Sequence, residues 1–175
     1  MSSVAKKEVE ELKKRHSSFF VEPEQTQKQI GLSTGWSELD QFLKWKGLPL
    51  GEISLFCSRP GLGATRVFLQ TAERVLKEGS WVAWINDSQT SIYPSIWRKD
   101  TSKRSRFFIL SAAKDEKQMC WALHELMSLS LFRLIGCDLT EFRLKSYQIL
   151  RLKKLAKSHQ VSLVLIDQRR EFERN

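Results

Sequence analysis

Short continuous apolar runs alternate along this chain with longer stretches whose apolar residues recur every three or four positions. The runs Glu52–Cys57, Trp81–Ile85, Phe107–Leu110, Leu131–Cys137 and Val161–Ile166 are too short for buried helices and are rich in aromatic and β-branched residues. They predict strands buried on both faces. Between them, Ala64–Lys77 gathers Phe68, Ala72, Val75 and Leu76 on one side and is closed by Gly79. Asp115 and Gln118 resemble a capping box that opens a helix to about Leu129, with Met119, Ala122, Leu123 and Leu126 on one face. A further helix is expected from about Thr140 to Ser158, burying Phe142, Ile149, Leu152 and Leu155. Shorter helices are expected over Gly35–Lys44, with Trp36, Leu39 and Phe42 or Leu43 inward, and near Pro94–Lys99. Gly47, Pro49 and Gly51 mark a turn region. Strands alternating with amphipathic helices make βαβ units, so the fold class is α/β with a mostly parallel sheet flanked by helices.

The first thirty or so residues break this rhythm. Residues 3–16 carry a narrow stripe of Ala5, Val9 and Leu12 between charged flanks. Such a helix cannot fold alone and must dock on its own domain or on a partner. A polar linker containing Pro23 follows, with an apolar Phe19-Phe20 pair that also calls for cover. The chain divides into an arm, 1–31, and a core, 32–175. It shows no internal repeat or low-complexity tract.

Composition narrows the function classes. A length of 175 residues suits one domain, and 41% hydrophobic residues suffice for a core. The net charge of +9 and the pI of about 9.6 favour an anionic partner, whether nucleic acid, a membrane or an acidic protein, or simply a basic surface. Cys57, Cys120 and Cys137 have no CxxC spacing, so neither a disulfide framework nor a zinc site is expected. Cys57 and Cys137 end apolar runs and are read as buried, reduced thiols. No signal-peptide core opens the chain, and no stretch reaches the ~20 apolar residues of a membrane span. A cytoplasmic protein without membrane contact is expected. His16, His124 and His159 are scattered, so no metal site is expected, and the six tryptophans read as core and interface anchors.

The chemistry concentrates after the first strand. A strand, a glycine-bearing loop and a helix form the setting of a phosphate-binding P-loop, G-x-x-x-x-G-K-[ST]. There, backbone N–H groups and the helix N-terminus hold phosphates, the lysine neutralises them, and the hydroxyl residue holds Mg²⁺. Here the positions are Ser58, Arg59, Pro60, Gly61, Leu62, Gly63, Ala64 and Thr65. Ser58 replaces the first glycine and Ala64 replaces the lysine, while Gly63 and Thr65 remain. Backbone anion binding could survive. Phosphoryl transfer, which is nearly all positioning and electrostatics, loses its main cation, for which Arg59 or Arg66 is at most a partial substitute.

Around this loop the sequence resembles bacterial RecA. Leu32 to Asp40 (LSTGWSELD) is similar to the "ISTGxxxLD" opening of the RecA core, and Gly47 to Ile53 (GLPLGEI) to its "GLPxGRI" turn. Lys77-Glu78-Gly79 with Trp81–Ile85 is similar to the "REGK" turn and its strand, and Leu165 to Arg170 (LIDQRR) to the "INQIR" segment. Together they cover roughly 32–170 in order, implying a RecA-like P-loop core. The departures concern catalysis. The RecA glutamate that activates water corresponds to Ser88, next to Asp87. The Walker B strand runs Arg133-Leu134-Ile135-Gly136-Cys137, with Gly136 near the expected aspartate and Asp138 falling late. Gln168 matches the glutamine that couples nucleotide to DNA in RecA, and the second DNA-binding loop has no counterpart before Asn175. The reduced pattern, with Pro60-Gly61-Leu62-Gly63 and no lysine, resembles the RecA-like ImuA proteins and their shorter SulA-like relatives. That resemblance implies no catalysis, no cofactor, and a place in DNA-damage-induced translesion synthesis. The implied partners are RecA, an ImuB-like inactive Y-family polymerase and a DnaE2-type polymerase. The arm residues Ala5, Val9, Leu12, Phe19 and Phe20 are candidates for docking on such a partner.

Two basic regions are candidate DNA contacts. Arg98, Lys99, Lys103, Arg104 and Arg106 cluster around Tyr93 and Trp97, a combination that can stack bases and hold phosphates, or that is an exposed loop with two core aromatics. Arg143, Arg151, Lys153, Lys154 and Lys157 lie largely opposite the apolar face of the last helix, where a solvated face is the default reading. The alternatives to a non-catalytic accessory protein are a SulA-type division inhibitor binding FtsZ and a divergent RecA-like ATPase.

Overall fold

A computed structural model describes residues 31–87, 92, 105–113, 115–139 and 142–168. Its elements in chain order are α1 (Ser37–Phe42), β1 (Ile53–Cys57), α2 (Ala64–Lys77), β2 (Trp81–Asp87), β3 (Phe107–Ala113), α3 (Glu116–Ser128), β4 (Phe132–Asp138), α4 (Ser146–His159) and β5 (Ser162–Asp167). All five strands are parallel, in the order β1-β5-β4-β2-β3. This is the expected α/β architecture, consistent with a RecA-like core.

Strand alternation divides the core into two layers. On one face, Val82, Trp84, Leu134, Val164 and Ile166 meet Phe68, Ala72, Val75 and Leu76 of α2, joined by Leu32 and Leu48. On the other, Ala83, Ile85, Ile135, Cys137, Leu163 and Leu165 meet Met119, Leu123 and Met127 of α3 and Leu152 and Ala156 of α4. The central strands read as unbroken apolar runs because helices cover both faces.

Gly136 fixes how closely α2 approaches. A Cβ there would lie 2.5 Å from the Phe68 ring and 2.6 Å from Trp84. Phe68 therefore rests on bare backbone of β4, its ring 4.8 Å from that of Trp84.

Several expectations need correction. Cys57 is exposed, not buried. It lies on β1, an edge strand, and only the start of that strand, at Ile53, packs into the α3/α4 layer; Leu55, on the same face, is also exposed. The last helix starts at Ser146, not near Thr140. Phe142 instead lies ahead of the helix, its N–H donating to the Leu139 carbonyl at 3.0 Å. The Lys145 N–H donates to Gln148 Oε1 at 2.6 Å, which caps the helix at that point. This start turns Gln148, Leu152 and Ala156 inward and leaves Ile149 exposed. Strands β2 and β3 run beyond their apolar cores because Asn86, buried at the end of β2, accepts a 2.8 Å bond from the Ser111 hydroxyl across the pair. The segment expected as a helix near Pro94–Lys99 lies outside the described residues.

Candidate functional site

In a parallel sheet, ligand sites form beyond the carboxyl ends of the strands. There β1 and β5 finish side by side, with Cys57 opposite Asp167. The Ser58 N–H donates to the Asp167 carbonyl at 3.1 Å, which extends the pairing into the loop. The chain then turns on an Arg59 carbonyl that accepts from the Leu62 N–H at 3.2 Å. Gly61 (φ 85°) and Gly63 (φ 95°) are both left-handed, and a Cβ at either would meet nothing within 4 Å. Backbone conformation, not crowding, calls for glycine at these two positions.

Gly63 caps α2 and, having no side chain, makes no side-chain cap bond to its first turn. The helix thus presents the N–H groups and positive dipole end that suit an anion. What the loop lacks is the cation. Ala64, in the lysine position, is buried and its methyl joins the α2 layer of the core. Thr65, the metal-holding position of the motif, accepts a 3.2 Å bond from Gln168 Nε2, just past the end of β5. The structure thereby brings together two expected site residues that are 103 positions apart. Among the described residues, the buried Ser58 hydroxyl has no hydrogen-bond partner. Beside the loop lies an open groove of about 440 Å³ lined by Trp36, Leu39, Gly61, Leu62, Gly63 and Arg66.

The reading of β4 needs correction. The strand runs through Asp138, so an aspartate does stand at its carboxyl end, and Gly136 lies within the strand as a packing residue. Asp138 pairs in register with Ile166, so β5 separates it from β1. Beside it, burial pushes the Cys137 thiol well above the ordinary range, with the Asp138 charge adding to the shift. Among the described residues, no group of three or more His, Cys, Asp or Glu side chains is placed to hold a metal ion.

The "TGxxxLD" segment has a structural role. Asp40 Oδ1 accepts from the Thr34 N–H (2.9 Å) and hydroxyl (2.7 Å), and Oδ2 from the Ser33 hydroxyl (2.7 Å). These bonds tie the entering chain to α1, which supplies Trp36 and Leu39 to the groove.

Ser88, Tyr93, Trp97, Arg98, Lys99, Lys103 and Arg104 lie outside the described residues, as do Ala5, Val9, Leu12, Phe19 and Phe20 of the arm. Arg106, Arg143, Arg151 and Lys154 are exposed but do not form one patch. Arg106 precedes β3, at the amino-terminal edge of the sheet near Gly79, whereas Arg143 follows β4 beyond the opposite edge. Three residues at this edge were not singled out from sequence. Asp167 is buried beside the loop, and Trp121 and Tyr147 are exposed on α3 and α4. Helical phase offered a signal for Trp121, which falls off the Met119–Leu123 face.

The fold and loop define a class, an α/β chain with a five-stranded parallel sheet and a P-loop-like turn that lacks its lysine. Comparison with known protein families gives no match, and comparison with curated proteins gives none either. No helix among the described residues is long and apolar enough to cross a membrane.

Proposed function

We propose that this chain is a non-catalytic, RecA-like accessory protein of DNA-damage-induced translesion synthesis, of the ImuA type. It would act in the cytoplasm by contacts with RecA, an ImuB-like inactive Y-family polymerase and a DnaE2-type polymerase. One observation carries the reading: the lysine position of a well-formed loop is an alanine whose side chain belongs to the core. A loop that keeps its turn, its two left-handed glycines and its helix N-terminus, but not its cation, retains the frame of a nucleotide-binding protein without the charge that phosphoryl transfer needs. The RecA-like order of motifs along 32–170 supports the partner set, and the arm supplies docking chemistry.

A divergent ATPase is the second reading. It is favoured by Asp138 at the end of β4 and by Arg66 at the rim of the groove. A pull-down of the full chain against RecA, an ImuB-type protein and FtsZ tests the proposal. Capture of RecA or the ImuB-type protein is expected, with loss on deletion of residues 1–22. Capture of FtsZ alone would contradict it in favour of a division inhibitor.

A further inference from the structure

We infer that the groove between α3 and α4 binds single-stranded nucleic acid, with bases stacked on Trp121 and Tyr147 and phosphates held by Arg151, Lys154 and Lys145. This goes beyond the accessory-protein reading and does not rest on it.

The groove has a volume of about 700 Å³, within the range of roughly 300–1,000 Å³ found for organic ligand sites. It lies on the sheet face opposite the P-loop helix, and both helices start at the carboxyl edge of the strands. Trp121 and Tyr147 line it, and each is 65% exposed. Neither aromatic is a core residue, and two exposed rings beside cations are what stacking of unpaired bases uses.

The charge around the groove is lopsided. Helix α4 has no carboxylate along Ser146–His159 and carries Arg151, Lys153, Lys154 and Lys157. Lys153 is turned toward Glu52 at 3.4 Å, which leaves Arg151 and Lys145 lining the groove from the α4 side, with Lys154 exposed three residues beyond Arg151 and Lys117 lining it from α3. Arg151 Nη2 donates to His124 Nε2 at 3.1 Å, which holds the guanidinium at the groove wall. The carboxylates at the groove, Glu116 and Glu125, belong to α3, and Glu125 lies 3.6 Å from His124. A strand tracking α4 keeps its phosphates on the side free of carboxylates and turns its bases inward. A duplex hides its base faces and cannot use the aromatics. An acidic peptide could meet the cations but would gain little from two stacking rings.

The test is fluorescence anisotropy of a labelled oligothymidylate of about twenty nucleotides, longer than the roughly 4–16 that one small binding module covers, with the full chain at low salt. Binding is expected to weaken steeply as salt rises. Trp121→Ala and Tyr147→Ala should each weaken it about 5- to 100-fold without changing the salt slope. Trp121→Phe and Tyr147→Phe should retain most of it. The double variant Arg151→Ala/Lys154→Ala should weaken binding and flatten the salt slope by about one to two. All these positions are exposed, and circular dichroism verifies that each variant folds. Absence of binding at low salt, or equal binding by the Trp121→Ala/Tyr147→Ala double variant, would overturn the inference. So would competition by polyglutamate or duplex DNA as effective as that by unlabelled oligothymidylate. RecA capture is read separately, so either result can fail without the other.

Discussion

A side chain at position 136 would have nowhere to go, because Phe68 and Trp84 occupy its space within 2.6 Å. Gly136→Ala should therefore cost about 1–3 kcal/mol through overpacking, read as a lower urea midpoint with an unchanged slope. An unchanged midpoint would mean that Phe68 can lift off β4 without penalty. The same strand holds Cys137, which is fully buried, with its thiol 3.2 Å from the Met119 sulfur. Burial raises its pKa in the fold. Below the ordinary thiol value of about 8.5 both folded and unfolded thiols are protonated, so that stability is intact. It is lost as pH climbs from there toward the raised folded value, because only the unfolded chain ionises. Stability should thus fall with alkaline pH, and fall less steeply in Cys137→Ala. Thiol labelling of the native chain should modify Cys57 rapidly and Cys137 only on unfolding. Slow labelling of Cys57 would argue that something covers the β1 edge.

At the scale of elements, the bounds of α2 were legible from its apolar spacing and its closing Gly79, and α3 from the cap at Asp115, whose carboxylate accepts from the Gln118 N–H at 2.8 Å. Helix α4 was not legible at its start. Its cap comes from a glutamine reaching back to the Lys145 amide, with no Ser, Thr, Asp or Asn at the cap position to announce it. Phe142 then falls ahead of the helix, where it still packs partly buried against the core, and Ile149 turns outward. Edge position is equally silent in sequence: β1 reads like the central strands until pairing leaves Leu55 and Cys57 uncovered. The candidate loop was legible residue by residue. The Thr65–Gln168 bond follows only from the adjacency of β1 and β5. The Asp40 cluster anchors α1 to the entering chain, so Asp40→Ala should destabilise by about 1.5–3 kcal/mol, the range for hydrogen bonds to a charged group. Thermal unfolding reads this effect, and an unchanged midpoint would show that the three bonds add nothing to the fold.

Across the whole molecule, chemistry gathers at the carboxyl edge of one parallel sheet. On the α2 face stand the lysine-less loop, Thr65 and Gln168; on the other, the groove between α3 and α4. The two basic regions read from sequence stay apart, with Arg106 at the amino edge and Arg143, Arg151 and Lys154 following β4. With Asp138 at the end of β4, the proposed non-catalytic reading rests chiefly on the missing lysine of the P-loop-like turn. The most direct measurement is Mg-ATP turnover by the full chain and by Ala64→Lys. No turnover by either protein is expected: the loop lacks the lysine, and restoring it puts a lysine where a buried methyl now packs. Tight Mg-ATP binding with turnover by the native chain, or turnover gained by Ala64→Lys alone, would contradict a non-catalytic RecA-like frame.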